Sequence, residues 1–236
     1  IFILKKLRNK ITALLPMKAN SQRVPNKNFK LFNGKPLFMW VLNELLASEL
    51  IDQIVINTDA KDNIMDHGIN ESERIIIRDR DSNLCGDEVS MNKIIKDDLQ
   101  NIESEIYLMT HTTNPLITKF TINKAINTFL DCCNNRDSDS LFSVNKFQSR
   151  FYDHKCQPIN HDPNNLIQTQ ELEPFFEENS ILYIFTKKSF SITNARIGMR
   201  PIMFETPMIE SIDIDTPSDW DFAFKLKELI LKNNND

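Results

Sequence analysis

The chain has 236 residues and a formal net charge of −5, a length that fits one α/β domain better than two independent cores. Its four glycines lie too far apart for the glycine-rich loops of dinucleotide-binding proteins and P-loop NTPases. No C-x-x-C pair occurs among its four cysteines, so we expect free thiols and a cytoplasmic location. Because no apolar run reaches the ~18 residues of a membrane span, we expect no membrane partner.

The charge is unevenly distributed along the chain. Residues 1–43 contain nine Lys or Arg and no acidic residue, whereas the rest of the chain carries a net charge of −14. A nucleic-acid-binding surface would spread its cations and interleave aromatic residues. Here part of the basic set is gathered in one loop and the remainder of the chain is acidic. We therefore predict a local anion site and no nucleic-acid partner.

Short apolar runs alternate with helical periods. The pattern predicts strands at 11–17, 51–57, 75–77, 105–110, from 141, 180–186 and 209–214, and helices at 36–48, 91–102, 118–132 and 217–231. Such alternation predicts an α/β fold, with a mostly parallel sheet flanked by helices. Residues 146–178 are polar and contain three prolines, so we predict an arm inserted into a single domain, 1–236.

The first loop, residues 15–28, has the sequence LPMKANSQRVPNKN. It follows the first predicted strand, at the edge of a parallel sheet where α/β folds bind ligands. Lys18, Arg23 and Lys27 supply three cations without a nearby acid, a set that suits a polyphosphate. A solvated basic loop is the alternative, but the position after strand one favours a binding role.

Asp213 and Asp215 are two residues apart in the last predicted strand and would present their carboxylates on one side. Two close carboxylates repel each other unless a cation lies between them, and Mg²⁺ commonly uses one or two carboxylates together with substrate phosphates. The alternative is that Asp215 or Thr216 caps the helix beginning at Pro217.

Several segments, taken in order, resemble the acylneuraminate cytidylyltransferases, which are the CMP-sialic acid synthetases and their relatives for acidic nine-carbon keto sugars. These segments are ALLPMKANSQRVPNKN, NGKPLF, INTD, IRD, THTTNPL, ENSILYIF and SIDIDTPSDW. The resemblance implies a Rossmann-like, GT-A-like nucleotidyltransferase core, bound Mg²⁺ and a homodimer formed through the arm 146–178. It also implies that CTP and an acidic 2-keto sugar, a sialic acid or related nonulosonate, are converted to a CMP-sugar and pyrophosphate.

Candidate site residues combine this resemblance with the positions above. For catalysis they are Lys18, Lys27, Asp213 and Asp215, the two aspartates as metal ligands. For the nucleotide they are Leu15, Pro16, Met17, Lys18, Ser21, Arg23, Lys27, Asn28, Arg78 and Ser90, although a capping role for Ser90 is favoured. For the sugar they are His111, Thr112, Thr113, Asn114, Gln170, Asn179 and Tyr183.

The chain departs from the family pattern at several positions. Lys18 stands where an Arg is usual, which keeps the charge but loses the bidentate fork. Near Gln170, many relatives carry an Arg that could pair with the sugar carboxylate, and none is found there. Three alternatives stay open: another sugar such as 3-deoxy-manno-octulosonate, another nucleotide, or a non-catalytic sugar-nucleotide binder. No dedicated general base is evident, so we expect metal activation of the attacking hydroxyl.

Overall fold

The computed structural model describes residues 9–134 and 138–233, which form a seven-stranded sheet, a two-stranded hairpin and six helices. The strands are β1 (Ile11–Leu14), β2 (Leu31–Phe32), β3 (Lys35–Pro36), β4 (Gln53–Thr58), β5 (Ile75–Asp79), β6 (Ile106–Thr110), β7 (Ser140–Phe147), β8 (Phe175–Thr186) and β9 (Pro201–Glu205). The helices are α1 (Leu37–Ala47), α2 (Lys61–Asp66), α3 (Met91–Asn101), α4 (Lys119–Asn134), α5 (Lys187–Thr193) and α6 (Pro217–Asn233).

The large sheet has the order β5-β4-β1-β6-β8-β7-β9. Strands β5, β4, β1 and β6 are parallel, β8 runs antiparallel to both of its neighbours, and β9 is parallel to β7. The predicted α/β class and mostly parallel sheet are therefore confirmed. Because β1 lies near the centre, the loop that follows it emerges between the ends of β4 and β6.

Helices cover both faces of the sheet, as the nearly continuous apolar runs of the central strands require. On one face α1 and α4 bury Val41, Leu45 and Phe129 against the strands. On the other face α3 and α5 bury Leu99 and Phe190. Within the described ranges, no helix combines the length and apolar character needed to cross a bilayer.

One strand prediction near the carboxyl end was wrong and one strand was missed. Residues 209–214 form a turn followed by irregular chain and are not a strand of the sheet. The edge strand is instead β9, which pairs with β7 and which the apolar pattern did not reveal. The alternating Ile212 and Ile214 are buried or half-buried against the cluster around α6, so their period reflects burial without backbone pairing.

The predicted arm, 146–178, begins and ends in paired strands. β7 and β8 continue as an antiparallel ribbon up to the pair Phe147–Phe175, and irregular chain with isolated bridges connects them. The register of this ribbon shifts between Phe142 and Val144, opposite a bulge in β8 where Ser180 has a φ of 60°. Strand β8 therefore starts five residues earlier than the predicted 180–186.

Candidate active site

A cavity of about 430 Å³ opens at the carboxyl edge of the parallel strands. Three segments line most of it: the loop after β1, the chain between β5 and α3, and the residues that follow β6. The charged groups that line it are Lys18, Arg23, Lys27, Arg80, Asp87 and Asp215. Four cations thus face two carboxylates, so the cavity favours a polyanion.

An apolar side chain, Val24, anchors the middle of the basic loop. Val24 is buried in a cluster with Phe32, Ile214 and Trp220. The Lys27 amide donates to the Val24 carbonyl oxygen at 3.1 Å, and Asn26 takes the left-handed conformation with a φ of 51° to close this turn. Burial of Val24 therefore brings the loop and the 211–215 segment together at the cavity.

Lys27 is the most buried of the cavity cations, with 8% of its surface exposed. Its Nζ donates to the Ile214 carbonyl oxygen at 2.5 Å and lies 3.5 Å from Asp215 Oδ1. Arg23 Nη2 lies 3.2 Å from the same Asp215 oxygen but is mostly exposed. Both cations therefore converge on one carboxylate, and Lys27 is the one held in a fixed position.

Asn28 joins the basic loop to the end of β6. Its side-chain amide donates to the Lys18 carbonyl oxygen at 2.8 Å, and its own oxygen accepts from the Thr112 hydroxyl at 2.7 Å. Asp59 adds a second tie, because its carboxylate accepts from the Ala19 amide at 2.7 Å. The loop that carries Lys18 is thus supported from β4 and from β6.

Lys18 reaches across the mouth of the cavity to Asp87. Its ammonium donates to the Asp87 carboxylate, which also accepts from the Gln22 side chain. This bond to Lys18 is the main reason that the pKa of Asp87 lies below its usual value. About half of each side chain in the Lys18–Asp87 pair is exposed, so the ion pair costs little to break.

The 211–215 segment is held by hydrogen bonds to loops rather than by a strand ladder. The Ile214 amide donates to the Thr113 carbonyl oxygen at 2.9 Å, and the Asn114 side chain donates to the Ile212 carbonyl oxygen at 3.3 Å. Asn114 therefore holds the segment by a hydrogen bond but does not line the cavity. The predicted strand at Asp213 and Asp215 is therefore replaced by irregular chain held by these hydrogen bonds.

Helix α6 is capped by neighbours of Asp215 and not by Asp215 itself. The Asp219 carboxylate accepts from the Asp215 amide at 3.1 Å and from the Thr216 amide at 2.7 Å. In return, the Thr216 hydroxyl accepts from the Asp219 amide at 3.3 Å. Because these two residues satisfy the start of the helix, the Asp215 carboxylate is left to face the cavity.

Asp213 lies beside the cavity and not in its lining. Although the residue is exposed, surrounding protein atoms remove part of its hydration and raise the pKa of its carboxyl, with Asp215 adding a like-charge contribution. Thr113 supplies a hydrogen bond that opposes this shift. The described residues contain no group of three or more metal-binding side chains. Two coupled carboxylates next to a polyanion site nevertheless fit Mg²⁺, which completes its shell with phosphates and waters.

Arg78 and Arg80 have different surroundings. Arg78 donates to the buried Asp98 carboxylate and lies 2.9 Å from Asp97, so it does not face the cavity. Arg80, two residues closer to the sheet edge, lines the cavity and donates to Asn57 Oδ1 at 2.8 Å and to the Met17 carbonyl oxygen at 3.0 Å. The structure therefore places Arg80 where Arg78 was predicted.

A buried chain of hydrogen bonds connects these two arginines. The Asn57 side chain accepts from Arg80 and donates to Asp98 Oδ1 at 2.8 Å. Asp98 is fully buried, and burial raises its pKa to about 6 despite the opposing effects of Asn57 and Arg78. This chain of hydrogen bonds fixes the orientation of Arg80 at the cavity.

His111 lines the cavity at the end of β6. Burial, assisted by the charges of Arg196 and Lys27, lowers its pKa to about 4. The imidazole is therefore neutral at neutral pH, and it can donate or accept a hydrogen bond without adding charge.

Thr112 and Thr113 also line the cavity, whereas the sugar candidates on β8 and in the arm lie away from it. Tyr183 is fully buried, and burial together with its hydrogen bond to Glu178 raises its pKa to about 12. Asn179 sits in the β8 bulge and bonds to Ser143, Asn145 and Thr206. Gln170 is exposed in the arm.

The candidate residues fall into two groups, those that line the cavity and those that do not. Those that do are Pro16, Met17, Lys18, Ser21, Arg23, Lys27, Asn28, His111, Thr112, Thr113 and Asp215. Those that do not are Leu15, Arg78, Ser90, Asn114, Gln170, Asn179, Tyr183 and Asp213. Ser90 precedes α3 without a side-chain capping bond, and Leu15 is fully buried in the core.

Sequence reasoning missed Gln22 and Arg80, both of which line the cavity. A charged residue just past a parallel strand was the available signal for Arg80, since that position falls at the ligand-binding edge.

Comparison with known proteins points to one enzyme family. The sequence profile of the family described as cytidylyltransferase matches residues 12–235. The chain is 28% identical to the CMP-N,N'-diacetyllegionaminic acid synthase of Legionella pneumophila, over 93% of this chain and 97% of the relative. It is 24% identical to the pseudaminic acid cytidylyltransferase of Campylobacter jejuni, over 89% of this chain and 93% of the relative.

Solved structures show the same fold at low identity. A CMP:2-keto-3-deoxy-manno-octonic acid synthetase complexed with CTP has a TM-score of 0.64 at 14% identity, covering 93% of this chain and 99% of that one. The 4-diphosphocytidyl-2C-methyl-D-erythritol synthase of Anaerococcus prevotii has a TM-score of 0.65 at 14% identity, covering 93% and 96%. Because the family profile spans almost the whole sequence, this chain belongs to the cytidylyltransferase family.

Proposed function

We propose that this enzyme is a CMP-sugar synthase that acts on CTP and an acidic 2-keto sugar of the nonulosonate class. The observation that carries the proposal is the cavity in which Lys18, Arg23, Lys27 and Arg80 face Asp215 at the carboxyl edge of the sheet. The named relatives act on legionaminic and pseudaminic acids, both acidic nine-carbon sugars.

The proposed reaction is an in-line displacement at phosphorus. The anomeric hydroxyl oxygen of the sugar bonds to the α-phosphorus of CTP, the bond from that phosphorus to the bridging oxygen of pyrophosphate breaks, and the hydroxyl proton is released. Such a transfer depends on positioning and on neutralising phosphate charge more than on covalent catalysis.

The cavity cations would hold the triphosphate. Lys27 is already fixed against the Ile214 carbonyl, so it can meet a phosphate oxygen without reordering. Lys18 and Arg23 would exchange their exposed partners, Asp87 and Asp215, for phosphate oxygens. The fork of Arg80 would add a second anchor from the β5 side of the cavity.

Mg²⁺ is part of the proposal, with Asp213 and Asp215 as its protein ligands. When bound, the ion would neutralise phosphate charge and lower the pKa of the attacking hydroxyl. The chain's own contribution is the Thr216–Asp219 cap, which leaves Asp215 free of helix capping, and the tether to Thr113, which holds the segment in place.

The sugar would bind beside His111, Thr112 and Thr113, which line the β6 end of the cavity. A neutral His111 can bond to a sugar hydroxyl without attracting the carboxylate away from a cation. The identity of the sugar within the acidic keto-sugar class is the part that the experiment below resolves.

The proposal includes a homodimer formed through the arm. Several apolar arm side chains are exposed, among them Leu166 at 66% and Phe175 and Phe176 at 41% each, and a partner would cover them. Light scattering coupled to gel filtration should give twice the mass of one chain, and a monomer mass would contradict this part. A cytoplasmic location, proposed from the four free thiols, can be checked by cell fractionation.

Pyrophosphate release tests the reaction itself. The protein is incubated with Mg²⁺, each of the four common NTPs and a panel of acidic keto sugars that includes nonulosonates and 3-deoxy-manno-octulosonate. We expect release with CTP and at least one nonulosonate, and none without sugar. Absence of release with CTP and every acid would overturn the proposal.

A further inference from the structure

Arg196 is a largely buried cation beside the active site that the proposed mechanism does not use. Its side chain is 20% exposed, and its guanidinium carbon lies 3.8 Å from the centre of the Tyr183 ring. Stacking on an aromatic face fixes the plane of a guanidinium and leaves its N–H edge available for hydrogen bonds. This geometry suits recognition of a planar anion.

The loop that carries Arg196 is rigidly built. Asn194 ends α5 in the left-handed conformation with a φ of 53°, and the Thr193 hydroxyl donates to the carbonyl oxygens of Ala195 and Ile197 at 3.1 Å each. Arg196 is therefore presented by a fixed turn, and its stack on Tyr183 does not depend on a flexible tail.

Arg196 is outside the cavity lining but lies near the end of β6, where the sugar is proposed to bind. It contacts Tyr183 on β8 and approaches Met109 on β6 at 4.0 Å, two residues before His111. Arg80, by contrast, follows β5 on the other side of β1. The charge of Arg196 also contributes to the lowered pKa of His111, which places the two groups close together.

The ion pair that Arg196 forms with Glu178 is a single long contact. Arg196 Nη2 lies 3.5 Å from Glu178 Oε1, the same oxygen that accepts from the Tyr183 hydroxyl. The Glu178 side chain is 42% exposed, so it can turn toward water. A guanidinium fork bonds best to a carboxylate through two parallel contacts, and Glu178 supplies only one.

We propose that Arg196 binds the carboxylate of the acidic sugar and that Glu178 occupies the guanidinium while the sugar is absent. The inference rests on the proposed function, since it names the residue that makes that site select an acid. It also accounts for the lack of an arginine near Gln170: the cation is supplied from the turn after α5 instead of from the arm.

The test compares the sugar acid that turns over fastest with its C1 amide, which lacks the negative charge. Arg196→Gln should raise the KM of the acid about 10- to 100-fold, the effect of losing charge-assisted hydrogen bonds, and leave the KM of CTP unchanged. The KM of the amide should change little, so the preference for the acid should collapse. Arg196→Lys should fall between the two because it keeps the charge without the fork.

Glu178→Gln separates recognition from a structural ion pair. If the pair only supported β8, both Arg196→Gln and Glu178→Gln would impair the enzyme in the same way. The proposal expects opposite signs, with Glu178→Gln lowering the KM of the acid because a competing carboxylate is removed. Equal increases in KM for the two variants would overturn it.

Arg74→Gln is the matched control. Arg74 donates to the carbonyl oxygens of Leu46, Ser48 and Ile51, away from the cavity, so this change should lower stability without altering acid preference. If Arg196→Gln left the ratio of the KM values for the acid and the amide unchanged, while the wild type turned over normally, the Arg196 inference alone would be overturned. Absence of wild-type turnover with every acid would overturn the proposed function and this inference together.

Discussion

The ammonium of Lys27 lies 3.5 Å from the carboxylate of Asp215, although 188 residues separate them in the chain. The contact joins the loop after β1 to the start of α6, and both ends are held by the apolar cluster of Val24, Ile214 and Trp220. Hydrophobic burial therefore assembles a charged pair at the cavity, and the same pair brings the cation proposed to bind phosphate next to the carboxylate proposed to bind the metal.

Lys27 should be essential for turnover. Lys27→Met should lower kcat/KM by about 100-fold or more, because a fixed positive charge next to the transferring phosphate is lost. Lys30→Met is the control, since Lys30 stacks on Trp220 at 4.4 Å outside the cavity lining. Steady-state pyrophosphate release checks both variants, and equal losses would contradict a specific role for Lys27.

Asp215 and Asp219 should separate metal binding from helix capping. Asp215→Asn should abolish Mg²⁺-dependent turnover while the protein still binds CTP in calorimetry. Asp219→Asn should cost about 0.5–2 kcal/mol of stability through the weakened cap and should largely keep turnover. Unchanged turnover in Asp215→Asn would argue against the carboxylate as a metal ligand.

Arg78 and Arg80 should give contrasting variants. Arg80→Gln should raise the KM of CTP about 10-fold with a modest effect on folding, because a phosphate contact is lost. Arg78→Gln should instead lower the free energy of unfolding by about 3 kcal/mol or more, since the buried Asp98 carboxylate loses its cationic partner and keeps only the hydrogen bond from Asn57. Denaturant titrations and CTP kinetics distinguish the two, and the reverse pattern would restore Arg78 as the nucleotide ligand.

Protonation of His111 should lower the free energy of unfolding at acid pH. Its folded-state pKa of about 4 lies below the unfolded value, so its contribution is complete above the unfolded pKa and is lost as the pH falls through 4. The advantage of the wild type over His111→Gln should shrink by about 2–3 kcal/mol between pH 7 and pH 4. If the difference in unfolding free energy between the wild type and His111→Gln were the same at pH 7 and pH 4, the burial of a neutral imidazole would be contradicted.

Much of the fold was accessible from local patterns. The alternation of apolar strands with helical periods identified β1, β4, β6, α1 and α6 to within a few residues. The same patterns failed at 209–214, where alternating isoleucines report burial against α6 and not backbone pairing. Strand β9 was missed because most of its side chains are exposed or half-buried, which leaves no apolar alternation to detect.

The charged loop 15–28 and the family resemblance identified this chain, from sequence alone, as a nucleotidyltransferase and predicted a phosphate site after its first strand. Only the tertiary structure decided which side chains reach that site. Arg78 lies on β5 and Arg80 lies just past its end; Asp98 on α3 pairs with Arg78, and Arg80 is left to line the cavity. Arg196 contacts both Tyr183 and Met109 because β6 and β8 are neighbours in the sheet, a long-range pairing that local sequence patterns do not encode.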